Sequence, residues 1–329
     1  MARTVFIATP APAGTTAGNR VTALRWAKRL RELGWRVQIA TQWAGEPCDL
    51  LVALHAHKSH ASLVRHAAER PDAPRVLALT GTDLYEVLLE DVLARESLAL
   101  ATRLIVLQPL ALRRLPEPIR ARARVIRQSA TAAPLGPAAP AALLDSTQPA
   151  LTACVLAHLR DVKDPLLAAR AASLVPASAR LRIVHLGGAL DEAWARRARD
   201  AERAAGGRWT WLGARPRGEA LRVLGGARLL VLTSRSEGGA NVVTEAIAAG
   251  VPVLSTRIEG SLGILGEAYP GYFEVGDAAG LAQLLGRCAG EPGFLAELRA
   301  QVTALRPLVD PATERDGWRS LLRELRLAG

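Results

Sequence analysis

Between Leu229 and Thr256 the chain reads LLVLTSRSEGGANVVTEAIAAGVPVLST. An apolar run leads into a loop with Ser234, Glu237, Gly238 and Gly239, and a helical stretch opens near Ala240 and Asn241. Paired glycines let backbone come close to a ligand, and the unpaired N–H groups of a helix's first turn attract an anion such as a diphosphate. Glu237 precedes the glycines and Glu245 lies further along the helix. A carboxylate beside a phosphate site is electrostatically wasteful unless it accepts hydrogen bonds from hydroxyls, and sugars and riboses offer hydroxyls in pairs. The plain alternative is a Gly-rich turn with two surface glutamates.

Two other groups carry chemistry. Only three lysines, Lys28, Lys58 and Lys163, stand among 42 basic residues. In a chain rich in Ala, Arg, Gly and Leu, a retained Lys marks a place for a compact point charge rather than a planar fork. Lys163 falls in the loop HLRDVKDP after an apolar run. Lys58 falls in LHAHKSHAS, beside His55, His57 and His60, with His66 close behind. A small, multiply charged ligand needs cations and donors, which Lys58, Arg20, His57 and Gln128-Ser129 could supply. Two other readings of the histidines stay open: an HxHxxH metal site without an acidic partner motif, or ordinary strand-edge residues. Cys48, Cys154 and Cys288 stand alone, in no Gly-rich or basic turn, so neither disulfides nor cysteine catalysis is expected.

The elements that must hold these residues alternate. Val5–Thr9, Trp35–Thr41, Leu50–Leu54, Val76–Leu79 and Leu104–Leu107 read as buried strands separated by helical segments, the first from Arg20 to Leu33. The Pro/Ala-rich stretch from Ala130 to Pro149 interrupts the pattern. Strands resume at Leu151–Ala157, Arg182–Leu186, Trp209–Leu212, Leu229–Thr233 and Val251–Ser255, and Asp310–Leu327 reads as a closing helix. Alternation predicts α/β architecture with parallel sheets. The expected organisation is a Rossmann-like domain over 1–132, a linker over 133–149, a second Rossmann-like domain over 150–306, and a helix over 307–329 that packs back on the first domain. Ligands of such sheets bind at strand mouths.

The stretch from Ser234 to Val253 resembles the donor site of the GT-B glycosyltransferases, family 4 in particular, whose pattern is S-x-x-E-G-x-G/x-N/L-x-x-x-E-A-x-A-x-G-x-P-V. The resemblance implies two parallel-sheet domains facing a cleft. It implies that Glu237 meets the donor sugar, that amides of Gly238, Gly239, Ala240, Asn241 and Val242 meet sugar and β-phosphate, and that Glu245 binds the ribose. Lys163 sits where the family brings a Lys to the diphosphate. His158 stands where its Arg usually does, so Arg160 or His158 is the second contact. Leu212-Gly213-Ala214-Arg215-Pro216 resembles the loop that cradles the base. Thr80-Gly81-Thr82-Asp83 resembles H-G-x-D, with Thr80 replacing the His. Several segments, TPAPAGTTAGNRVTALRWA, LHAHKSHAS, LTGTDLYE, VIRQSA and GILGEAYPGYFEVGD, further resemble the selenosugar synthases of selenoneine biosynthesis, a branch of this family. That resemblance implies transfer of N-acetylglucosamine or glucose from a UDP-sugar to selenophosphate. It makes Lys163, Arg160 and Glu237 catalytic, adds Gly18 to the donor contacts, and gives the acceptor to Asn19, Arg20, His57, Lys58, Thr82 and Asp83.

The chemistry then needs cations and fixed dipoles aimed at the leaving diphosphate. No D-x-D pair occurs in the sequence, so no metal and no cofactor are expected. The net charge of +11 is spread over both halves without a basic run, and aromatics are 4%, which argues against nucleic acid. No uncharged apolar stretch is long and Pro-free enough to span a bilayer, and the apolar start Val5–Thr9 is short for a secretory leader, so a cytoplasmic chain is expected. Alternative functions are a family 4 transferase with another small-molecule or lipid acceptor, or a UDP-sugar epimerase or hydrolase using Asp83 or Glu86 as base.

Overall fold

A computed structural model describes residues 3–85, 88, 90–132 and 151–327. The expected linker 133–149 and Glu86 lie outside the described residues, and so does the side chain of Thr82. Two compact units divide the chain. The first holds Met1–Ser129, Glu237–Asn241 and Leu308–Gly329; the second holds Ala130–Ser236 and Val242–Pro307.

In the first unit β1 (Thr4–Ala8), β2 (Arg36–Ala40), β3 (Leu50–Leu54), β4 (Arg75–Leu79), β5 (Arg103–Val106) and β6 (Ala123–Val125) form one sheet, in the order β2-β1-β3-β4-β5-β6. All its pairings are parallel. Every residue of β3 is buried, so LLVAL is apolar throughout instead of alternating. One face of the sheet, with Val5, Ile7, Leu50, Val52 and Leu54, packs on Ala23, Trp26, Ala27 and Leu30 of the helix Gly18–Glu32. The same core takes Trp318, Leu321 and Leu322 from the closing helix Pro311–Glu324, and Trp26 meets Trp318 edge to face at 5.1 Å. The opposite face, with Phe6, Leu51, Ala53, Leu77 and Leu104, packs on Leu63 and Leu98.

In the second unit β7 (Leu151–Leu156), β8 (Leu181–Leu186), β9 (Trp209–Trp211), β10 (Leu229–Leu232), β11 (Val253–Thr256) and β12 (Tyr272–Phe273) form a parallel sheet ordered β12-β11-β10-β7-β8-β9. Strand ends fall within two residues of those expected. The expected start at Val251 moves to Val253, because Pro252 has no N–H to give a ladder. β6 and β12 are additions.

The strand orders matter for function. In the first sheet the chain runs from β1 out to β2, then returns to β3 on β1's other side. In the second it runs β7, β8, β9, then crosses back to β10 on β7's other side. Open parallel sheets bind ligands outside the carboxyl ends of strands at such reversals. The loops there are Thr9–Ala17 and His55–Ser59 in the first unit, and Ala157–Leu166 and the start of the loop after β10 in the second.

Candidate functional site

In the second unit the reversal between β7 and β10 holds Lys163. It ends a single 3₁₀ turn, Asp161–Lys163, followed by Asp164 in the left-handed region at φ 37°. Asp tolerates that conformation better than most residues, and Pro165 after it forbids a continuing helix. The turn is tied down on β10's side. The Thr233 hydroxyl donates to the Lys163 carbonyl at 2.8 Å, and the Arg235 N–H donates to the Val162 carbonyl at 2.8 Å. The buried Asp164 carboxylate pairs with Arg170 at 3.4 Å and Arg235 at 3.3 Å. The backbone of the Lys163 turn is thus fixed from β10's side and through Asp164. Arg160 opens the same turn and is exposed.

Glu245 lies in the helix Asn241–Ala249, with 7% of its side chain exposed, and pairs with Arg217 at the start of the helix Arg217–Gly226. Burial of a carboxylate is tolerable with such a partner. Sequence reading missed Arg217. Its only signal was a position two residues beyond Arg215, in the loop expected to cradle a base. Ala214 and Arg215 are exposed on that loop. Arg215 donates to the Leu212 carbonyl at 3.0 Å.

In the first unit the expected acceptor residues divide. Asn19 and Arg20 lie in the first turn of the helix Gly18–Glu32, and Lys58 is exposed after β3. His57 is exposed too, and its Nδ1 pairs with Asp91. Burial opposes ionisation of Asp91, yet hydrogen bonds from His57 and from the Ala94 and Leu93 amides hold its carboxyl below the usual range. His60 faces Glu96 at 3.3 Å. His55 is buried in the left-handed region at φ 78°. His66 lies elsewhere, fully buried against Trp43 with Cys48 Sγ 3.7 Å away. The described residues contain no group of three or more His, Cys, Asp or Glu placed to hold a metal ion.

Asp83 requires a correction. It is fully buried, and its carboxylate accepts from the N–H groups of Ala56 at 2.9 Å, Thr80 at 3.0 Å and Gly81 at 2.8 Å. Those bonds fasten the turn after β4 to the loop after β3 and occupy both oxygens. Asp83 therefore holds loops; it is neither an acceptor contact nor an epimerase base. The glycines of the donor motif are also partly reassigned. A Cβ on Gly238 would lie 2.5 Å from the Thr80 carbonyl carbon and oxygen, and one on Gly239 would lie 2.7 Å from Leu107 Cβ. Close approach to protein, not to ligand alone, demands glycine at both. Glu237, Asn241 and Val242 are partly buried, and Ala240 is buried.

Sequence reading also missed a polar cluster behind this loop in the first unit. Glu314, with its side chain fully buried, accepts from Arg25 Nε at 3.0 Å, Trp26 Nε1 at 3.0 Å and the Ser129 hydroxyl. Arg25 Nη1 donates to Asn241 Oδ1 at 2.7 Å, and Asn241 Nδ2 reaches the Gly18 carbonyl at 3.4 Å. The Gln128 carboxamide donates to the Gly239 carbonyl at 2.7 Å and accepts from Thr22 at 2.8 Å. Gln128 and Ser129, considered above as ligand contacts, are both buried in this cluster and orient Gly239 and Asn241 instead. The partners lie up to 289 residues apart, so no local pattern could reveal them.

Residues 145–292 match the family model described as glycosyl transferases group 1. No curated protein matches the chain. Among solved structures, HepE of Anabaena in complex with UDP and glucose is similar with a TM-score of 0.79 at 16% identity, over 98% of this chain and 100% of that one. Sucrose-phosphate synthase of Thermosynechococcus elongatus gives 0.80 at 16% identity over 100% of both chains. The UDP-forming α,α-trehalose-phosphate synthase of Burkholderia xenovorans, in complex with glucose-6-phosphate, gives 0.75 at 14% identity, over 98% of this chain and 100% of that one. At these identities the likeness concerns the fold, and the fold is GT-B: two α/β units, each with a parallel six-stranded sheet. The described residues include no helix long and apolar enough to cross a membrane.

Proposed function

We propose that this chain is a metal-independent glycosyltransferase that moves N-acetylglucosamine or glucose from a UDP-sugar to selenophosphate. The observation that carries the transferase reading is the Lys163 turn. Lys163, one of three lysines among 42 basic residues, stands in a turn tied down at the strand reversal of a unit that matches group 1 glycosyl transferases. Its positive charge meets the diphosphate, where negative charge grows as the anomeric C–O bond breaks. Exposed Arg160 adds a second cation. Glu245 accepts the ribose hydroxyls, with Arg217 moving from the carboxylate as they arrive. The loop at Ala214 and Arg215 receives the base. Glu237 and the amides from Gly238 to Val242 take sugar and β-phosphate, as in the family pattern.

The acceptor assignment rests on the further resemblance and on the chemistry of the loop after β3. Lys58 and His57 are exposed there, and Asn19 and Arg20 follow β1, the strand next to β3. Such residues suit a small anion. Selenium attacks the anomeric carbon with a lone pair, a C–Se bond forms, and the C–O bond breaks with its electron pair leaving on UDP. Selenophosphate is anionic and polarisable, so the step needs no general base. The lack of any D-x-D pair supports metal independence.

Release of UDP from UDP-N-acetylglucosamine or UDP-glucose tests the reading, with selenophosphate added and EDTA present. Release that depends on selenophosphate and survives EDTA is expected. Strict dependence on Mn²⁺ or Mg²⁺ contradicts metal independence. Release with another acceptor alone reassigns the acceptor and leaves the transferase.

A further inference from the structure

The helix Gly18–Glu32 sets Gly18, Thr22, Arg25 and Trp26 on one face, because residues three and four apart are neighbours on a helix. Within the first unit that face meets both the closing helix Pro311–Glu324 and the loop Glu237–Asn241. Arg25 joins the two. Its Nε donates to Glu314 Oε1 at 3.0 Å, its Nη1 to Asn241 Oδ1 at 2.7 Å, and its Nη2 to the Gln128 carboxamide oxygen at 3.2 Å. Gln128 donates in turn to the Gly239 carbonyl at 2.7 Å and to Asn241 Oδ1 at 3.1 Å. One planar guanidinium therefore links Glu314 to Asn241 directly and to Gly239 through Gln128, a reach that an ammonium lacks.

Docking of the closing helix does not call for this arrangement. Trp318, Leu321 and Leu322 already bury it in the core with Trp26, Ala27 and Leu30. The Glu314 side chain is wholly buried, and that of Arg25 is only 12% exposed. Taking two charges out of water costs about what their pairing returns, so a buried ion pair adds little stability beside an apolar contact. Its contribution is geometric. Trp26 Nε1 and the Ser129 hydroxyl hold the same carboxylate that pins Arg25 Nε, which fixes the plane of the guanidinium. The outer edge of that plane carries Asn241, the first residue of the helix Asn241–Ala249. Ala240 before it has no side-chain acceptor to cap the helix. The start of the helix is held from outside, by Arg25 and Gln128 on the Asn241 carboxamide.

We infer that Glu314 and Arg25 are positioning residues for the donor: from the closing helix they set, through Asn241 and Gly239, the backbone of the loop that receives sugar and β-phosphate. The inference rests on the UDP-sugar reading above. A loop fixed before its ligand arrives loses no affinity to its own ordering. Releasing it therefore weakens the diphosphate end of the ligand and leaves the nucleoside end alone.

Arg25→Lys keeps the charge beside Glu314, but a single Nζ cannot replace the three arms of the fork. Glu314→Gln keeps the shape and removes the charge. Glu324→Gln, at the end of the same helix, removes the partner of Arg103 and Arg124 and controls for helix docking. The full chain and these variants are titrated with UDP and with uridine, and melted. UDP affinity is expected to fall roughly 10-fold in Arg25→Lys and in Glu314→Gln, the usual weight of a hydrogen bond to a charged group, with uridine affinity unchanged. Glu324→Gln should bind both as the wild type does. Asn241→Ala should cost UDP affinity as much as Arg25→Lys, and the two together no more than either alone, because both cut one link. Arg25→Lys and Asn241→Ala carry the test even if Glu314→Gln unfolds the buried cluster. Additive losses, or losses shared by uridine and UDP, mean general loosening and overturn the inference. So does unchanged UDP affinity in Arg25→Lys while the wild type binds UDP. Absence of UDP binding by the wild type overturns the UDP-sugar reading and this inference together.

Discussion

At the scale of single residues, the decisive distinction is between polar groups aimed at a ligand and polar groups spent on the backbone. Asp83 and Lys163 show it. Both stand in motifs that resemble donor or acceptor contacts, and neither motif tells which way the side chain is used. Three N–H groups from Ala56, Thr80 and Gly81 converge on Asp83, and burial makes them obligatory. An Asp83→Asn variant keeps one acceptor oxygen and turns the other position into a donor facing N–H groups. It should lose about 1–3 kcal/mol of stability, measured by urea unfolding. An unchanged midpoint would return Asp83 to the list of ligand contacts. Lys163 contrasts with it: what the structure ties there is the backbone, through the Thr233 hydroxyl on its carbonyl at 2.8 Å.

At the scale of elements, the sequence made most strands visible because parallel strands buried on both faces are unbroken apolar runs, as LLVAL at β3 is. β6 and β12, of three and two residues, are too short to carry such a signal. The loop after β10 and the Lys163 turn stood out by residue type and spacing, and the loop after β9 by the resemblance alone. The Glu314 cluster, the Arg217–Glu245 pair and the role of Asp83 were not, because each depends on partners that only the fold brings together. The glycines divide in the same way. The loops after β7 and β8 are zipped side by side: Ala157 N–H donates to the Leu186 carbonyl at 3.0 Å and Leu159 N–H to the Gly188 carbonyl at 2.9 Å. Gly187→Ala places a Cβ 1.8 Å from the Ala157 oxygen, a backbone atom that cannot retreat without unzipping them. Gly188→Ala meets only the Ala214 methyl at 3.4 Å and the His158 ring at 3.6 Å, ordinary contacts. Thermal melts should show Gly187→Ala destabilised by about 3 kcal/mol or more and Gly188→Ala within about 1 kcal/mol of wild type. Equal melting of the two would mean the loops are not zipped as described.

At the scale of the whole molecule, two fully buried histidines, one in each unit, set an acid limit. Burial, aided by Arg75 and Arg70, pushes His66 down to about 4, and burial pushes His185 down to about 4. In the unfolded chain both titrate near the ordinary value of about 6.5. Between those values the unfolded state binds more protons than the native one, so stability rises with pH there and is lost as pH falls from about 6.5 toward 4. Each histidine should remove about 2 kcal/mol between pH 7 and 5. Urea unfolding across that range checks the sign, and His185→Gln should flatten the second unit's share. A profile that improves on acidification would contradict the neutral, buried state of both rings.

The central claim, that sugar passes from UDP to selenium with Lys163 on the diphosphate, is tested most directly by mass spectrometry. The reaction contains the protein, UDP-N-acetylglucosamine, freshly made selenophosphate and EDTA, with Lys163→Ala in parallel. The account predicts a hexosamine product bearing the selenium isotope pattern, reduced roughly 100-fold or more in the variant, the usual cost of removing a transition-state charge contact. UDP-glucose is run beside it to assign the donor. Intact donor with both sugars, or product formed equally well by Lys163→Ala, would contradict it.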